Sequence, residues 1–244
     1  MWKRAVLVFF GLGLGLLAAS ELLTLHSKDG FVLKGWLDLP SQGKPPYRLA
    51  LMAHEYGSDH RMWKELAAQM RRRGYATLAV DLRGHGASDM RNGKKVRVRP
   101  GHFEADAKRI GFARIPDDLR AWMDRMEARK DIEIEEPVFF GSSLGGGAVI
   151  PLMIDYEPKV VVTLSPASPG NFNKREVMES VEESNSPWLI VSSQRDFARK
   201  SAEFYAAKAL LPTLLIVPGE GHGSYTLPSA GGYIKAFLDR YLKR

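Results

Sequence analysis

Two hydrophobic rhythms alternate along the chain. Short, nearly continuous apolar runs at residues 49–54, 76–80, 138–140, 160–164, 188–192 and 214–217 have the length of strands, and the last three read as strands of a parallel sheet buried on both faces. Between them lie stretches with helical spacing: 62–73, closed by Gly74; 117–129, with Pro116 at its first turn; 200–210; and 232–242. Earlier, segments 22–26 and 31–39 flank the turn Lys28-Asp29-Gly30 and predict a β-hairpin. Strands and helices in alternation predict an α/β fold with a mostly parallel central sheet covered by helices on both faces. Two segments break the rhythm, a basic one at 90–115 and a polar one at 167–186.

Length and composition narrow this picture. At 244 residues, 45% of them hydrophobic and 26% charged, the chain suits one large domain with a real core. It has no cysteine, which excludes disulfides, thiolate metal sites and a cysteine nucleophile. Its six histidines, His26, His54, His60, His85, His102 and His222, show no paired metal-ligand spacing, and no phosphate-binding glycine loop with its lysine is present, so neither a metal nor another cofactor is expected.

In an open parallel sheet, ligands bind beyond the carboxyl ends of the strands, and the residues found there carry the chemistry. Run 137–140 leads into Gly141-Ser142-Ser143-Leu144-Gly145 and then a helix-like stretch, the strand, sharp turn and helix that present a nucleophilic serine. A serine hydroxyl needs an imidazole to take its proton, and the imidazole needs a carboxylate to hold its tautomer. Asp196 follows run 188–192, and His222 follows run 214–217 within Gly219-Glu220-Gly221-His222-Gly223. Ser143, Asp196 and His222, in that order along the chain, are the expected catalytic set, with Glu220 or Glu179 as substitutes for the acid.

With these residues, and with Asp81-Leu82-Arg83-Gly84-His85-Gly86-Ala87-Ser88, the chain resembles the α/β-hydrolase family, in particular its serine esterase-like and lipase-like members, from about Leu22 to Arg244. The resemblance implies an oxyanion hole made by the backbone N–H groups of Leu144 and Tyr56. It also assigns Asp81 and Arg83 to loop bracing. His54-Glu55-Tyr56-Gly57 departs from the commoner His-Gly pair by placing Glu55 where glycine is usual, as in dienelactone-hydrolase-like relatives, and that glutamate is expected to brace the loop, with interaction with the resting nucleophile as the alternative. A lid is often inserted in the family where segment 165–187 lies, and here that segment is too short for more than a small cap.

The amino terminus and the charge add two further expectations. Lys3-Arg4, an apolar run at 5–19 and the small residues Ala18-Ala19-Ser20 read as an export signal or uncleaved membrane anchor over residues 1–20, leaving residues 21–244 as a hydrolase domain outside the cytoplasm. The run falls short of the roughly 20 residues that span a bilayer, which favours cleavage. The net charge of +7 most commonly means solubility, and the basic stretch 91–99 is either a solvated loop held away from the site or one near its mouth that recruits anionic substrates or a membrane or anionic envelope surface. Few aromatics interleave with that stretch, so nucleic acid is not an expected partner. The function expected is cleavage of small ester substrates through an acyl-enzyme; thioesterase, lactonase, peptidase or acyltransferase chemistry, or binding without turnover, are the alternatives.

Overall fold

The computed structural model describes residues 20–242. Its hairpin is formed by β1 (Glu21–His26) and β2 (Phe31–Asp38), antiparallel as the turn at Lys28-Asp29-Gly30 requires. Then follow β3 (Tyr47–Ala53), α1 (Lys64–Arg72) and β4 (Ala76–Asp81). The basic segment forms a minimal hairpin of β5 (Met90–Arg91) and β6 (Lys94–Lys95), then α2 (Phe103–Asp106), a π turn at Ala107–Gly111 and a 3-10 turn at Phe112–Arg114. After α3 (Ile115–Glu127), β7 (Ile132–Ser142) runs directly into α4 (Ser143–Ala148), which is followed by α5 (Leu152–Tyr156). The chain finishes with β8 (Val160–Leu164), α6 (Lys174–Glu183), β9 (Trp188–Ser193), α7 (Arg199–Lys208), β10 (Pro212–Val217) and α8 (Leu227–Tyr241).

The strands form one ten-stranded sheet in the order β10-β9-β8-β7-β3-β4-β2-β5-β6, with β1 along β2. From β4 to β10 every neighbouring pair is parallel, and the strands at the amino-terminal end of the sheet are antiparallel. Alternation along each strand divides the core. Leu49, Leu51 and Ala53 of β3 face a layer that includes Leu119, Trp122 and Met126 of α3 and Val177 and Val181 of α6, whereas Ala50 and Met52 face Leu66 and Met70 of α1 and Ile234 and Leu238 of α8. Burying both faces is why these strands read as unbroken apolar runs.

One strand departs from that reading. β10 is the edge of the sheet, and Leu214 is 37% exposed rather than buried. Edge strands lack a neighbour on one side, so apolar content alone does not put them inside. Among the described residues no helix is long and apolar enough to cross a membrane. The expected signal or anchor lies almost wholly in residues 1–19, outside the described residues.

Candidate active site

The site begins where β7 meets α4. Ser142 is still extended, and Ser143 turns the chain with φ at +45°, in the left-handed region that costs a residue bearing a Cβ about 1 kcal/mol or more. The turn fits because positions 141 and 145, two residues to either side, are glycines. A Cβ on Gly141 would lie 2.6 Å from the Gly145 carbonyl oxygen, and one on Gly145 would strike the carbonyls of Ala53 and His54. The Gly145 N–H donates to the His54 carbonyl at 3.1 Å, fixing the turn against the end of β3.

His222 and Asp196 arrive from the loops after β10 and β9. His222 Nε2 lies 2.7 Å from Ser143 Oγ, and His222 Nδ1 lies 2.8 Å from Asp196 Oδ1. The ionised carboxylate can only accept, so the imidazole proton sits on Nδ1 and Nε2 accepts the serine hydroxyl. Burial opposes ionisation of Asp196, but hydrogen bonds from His222, from Ser165 and from the Ala198 N–H outweigh it and hold the carboxyl below the usual aspartate range. The two substitute acids lie elsewhere: Glu220 pairs with Arg195 at 3.5 Å and Glu179 with Arg175 at 3.4 Å, both on the surface.

Three side chains that strengthen this arrangement carry no motif of their own. Ser165, at the end of β8 with φ at +48°, donates to Asp196 Oδ2 and accepts from the Gly223 N–H at 2.8 Å, tying the acid loop to the histidine loop. Ser192 donates a second hydrogen bond to Asp196 Oδ2 at 3.1 Å. Phe197 lies flat on the His222 ring, with centroids 4.1 Å apart. A polar residue at a strand end was the available signal for the two serines, and it is too common to single them out.

Glu55 has the bracing role expected of it. Its Oε2 accepts from Ser142 Oγ at 2.6 Å and from the Ser224 N–H at 2.8 Å, and Oε1 accepts from Ser224 Oγ at 2.7 Å. One carboxylate thus joins Ser142, the residue before Ser143, to the turn carrying His222. Asp81 accepts from the His60 N–H and ring and from the Ala87 N–H, and buried Arg83 grips Asp118 through two 2.7 Å bonds, so both brace loops. Asp59, His60 and Asp81 also bring potential metal-ligand atoms together, but Asp81 is occupied by these donors and Asp59 by Arg61.

Tyr56 follows β3 and lines the cavity with Ser143 and His222, while Leu144 begins the turn after the nucleophile. These are the positions expected of the two backbone oxyanion donors. The phenol of Tyr56 is held from the far side, lying 2.7 Å from the Arg99 carbonyl and 3.0 Å from Asp106 Oδ2. His54 donates from Nδ1 to the Glu55 carbonyl and accepts the Leu82 N–H at Nε2, linking the loops after β3 and β4; burial keeps it neutral by lowering its pKa.

The cavity at Ser143 has a volume of about 680 Å³. Among the described residues no arginine or lysine lines it. The basic stretch instead reaches a neighbouring cleft on the other side of Tyr56 through Arg97, and much of its charge is paired: Arg91 with Asp29, Lys95 and Arg97 with Asp89, Arg99 with Asp106. The stretch 91–99 therefore does not line the cavity at Ser143, contrary to the expectation that placed it at the mouth; of this region only Phe103 and Glu104, beyond it, do. Segment 165–187 supplies only a 3-10 turn and α6, whose Val177 and Val181 pack into the core, so this segment forms no extended cap over the cavity.

Comparison with known proteins agrees with this fold. The family described as serine aminopeptidase, S33, matches residues 44–203. The uncharacterised protein Rv2307c of Mycobacterium tuberculosis is 25% identical over 226 aligned residues, covering 84% of this chain and 73% of that protein. Among solved structures, Est1E from Butyrivibrio proteoclasticus, determined with ferulic acid, superposes with a TM-score of 0.69 at 19% identity over 91% of this chain and all of its own. A dienelactone hydrolase from Anabaena variabilis gives 0.66 at 18% identity, covering 92% and 99% of the two chains. XC6422 from Xanthomonas campestris, described as a serine hydrolase without a lid, gives 0.64 at 20% identity, covering 93% and 97%.

Proposed function

The chain belongs to the S33 serine aminopeptidase family of α/β hydrolases, and on that premise we propose that it is a serine hydrolase cleaving carboxylic esters through an acyl-enzyme. The observation that carries this reading is the continuous path from Ser143 Oγ to His222 Nε2 at 2.7 Å and from His222 Nδ1 to Asp196 at 2.8 Å. Ser143 Oγ attacks the ester carbonyl as its proton passes to His222 Nε2. The tetrahedral oxyanion is held by the Leu144 and Tyr56 N–H groups, each such donor being worth roughly a hundredfold or more in rate. As the carbon–oxygen bond to the alcohol breaks, His222 returns the proton to the leaving oxygen. Water then repeats the sequence on the acyl-serine, releasing the acid and restoring the serine hydroxyl. The esterases among the structural neighbours support the ester assignment.

A fluorophosphonate probe tests the nucleophile: it is expected to label the wild type and not Ser143→Ala. A panel of p-nitrophenyl esters, run beside amino-acid p-nitroanilides, tests the bond. Turnover of the anilides alone would replace the esterase reading with the peptidase one that the family's description favours. His222→Ala is expected to be as inactive as Ser143→Ala, because the members of such a set act as a unit.

We also propose that the amino-terminal run directs export, with the domain acting outside the cytoplasm; Lys3-Arg4 ahead of apolar residues 5–19 supports this.

A further inference from the structure

Rings wall the cavity at Ser143: Tyr56, Phe103, Phe197 and Tyr225. Tyr56 and Phe103 meet edge to face with centroids 5.2 Å apart. Phe197 stacks on His222 at 23° between planes, yet it is 84% exposed, and Tyr225 is 78% exposed. Two large rings left in water beside a reactive imidazole are a costly use of apolar surface unless something covers them. Apart from Ser143 and His222, the polar side chains of the cavity are neutral or acidic. Ser168, Asn171 and Ser201 are neutral, Glu104 is acidic, and the carboxylate of Glu55 is already spanned by Ser142 and Ser224.

An anionic substrate therefore finds no counter-charge here, and it would meet Glu104. A saturated chain would cover the rings, but it gains nothing from their flat faces, whereas a planar ring gains both area and quadrupole complementarity. Because Phe197 rests on the imidazole that serves the reacting serine, a ring stacked beside it lies close to the scissile carbonyl. On the ester-hydrolase reading above, we propose that this cavity takes uncharged esters carrying an aromatic ring within a carbon or two of the scissile bond, with Phe197 as the residue that selects them. The ring can enter on the acyl or on the alcohol side, since both flank the same carbonyl.

Two matched pairs of substrates separate the sides. Benzyl acetate against cyclohexylmethyl acetate reads the alcohol side, and methyl phenylacetate against methyl cyclohexylacetate reads the acyl side. In each pair a methylene separates the ring from the reacting group and weakens its inductive pull, and the saturated member is the more apolar, so unspecific hydrophobic capture favours the wrong one. The aryl member is expected to have the higher kcat/KM, by about tenfold, in at least one pair, as one or two good aromatic contacts allow. Phe197→Leu should bring that ratio towards one, and Phe197→Tyr should keep it. Ratios at or below one in both pairs, or a ratio that Phe197→Leu leaves unmoved, would overturn the proposal.

Calorimetric titration of Ser143→Ala with the same four esters keeps this outcome separate from the catalytic reading. Tighter binding of the aryl member without any turnover by the wild type sinks the ester-hydrolase assignment and leaves the ring preference standing. Turnover without selectivity, in rate or in binding, does the reverse.

Discussion

At the scale of single residues, the site depends on groups that do no chemistry themselves. Ser165 is the clearest case, because one hydroxyl serves both the acid and the loop of the histidine. Ser165→Ala removes a hydrogen bond to a buried carboxylate and leaves the Gly223 N–H unpaired, at a cost of about 2 kcal/mol in stability. If its role is to orient, kcat should fall about tenfold with KM little changed, and steady-state kinetics beside thermal unfolding reads both. Ser143, Asp196 and His222 were legible in the sequence because each follows a strand and the glycines around Ser143 mark its turn. Ser165 and Ser192 were not, because a serine at a strand end has many uses and only the folded geometry brings them to one carboxylate.

At the scale of elements, the turn between β7 and α4 leaves the least room for change. A methyl at Gly145 meets backbone carbonyls, which cannot move aside as a flexible side chain would. Gly145→Ala is therefore expected to cost about 3 kcal/mol, at the upper end of overpacking effects, and chemical denaturation measures it. The segment from Arg97 to Phe112 offers a second test. Asp106 is fully buried beneath it; burial works against its ionisation, but hydrogen bonds from Arg109, the Arg99 N–H and Tyr56 prevail and its pKa is strongly lowered. A lowered carboxyl stabilises the fold above its unfolded pKa, near 3.9, and that contribution is lost as pH falls from there through the folded value. The melting temperature of Asp106→Asn should thus lie below that of the wild type by a constant amount above about pH 5, with the gap closing in more acid solution. Sequence periodicity found the helices and the interior strands of this architecture. It misplaced β10, because an apolar run does not reveal which strand ends the sheet, and it left 90–115 without structure because short turns have no period.

At the scale of the whole molecule, the amino-terminal run bears on where the chain resides. If the amino-terminal run is a cleaved signal, protein recovered from its host should begin near Glu21, and amino-terminal sequencing would find that residue. An intact Met1 in the membrane fraction would indicate an anchor instead. The way the two ends of the fold meet was also beyond the sequence: Glu55 was noticed as a departure from the glycine expected there, but nothing in the residues said that its carboxylate would span Ser142 and Ser224.

The uncovered cavity, with Phe197 and Tyr225 facing water, bears on timing. Enzymes that enclose their substrates often spend much of each cycle opening again, and solvent friction then slows them. On the ester-hydrolase reading, and among the described residues, no extended cap has to move before an alcohol or an acid departs. Turnover at saturating ester should therefore be governed by bond making and breaking, and adding sucrose to thicken the medium should leave kcat almost unchanged.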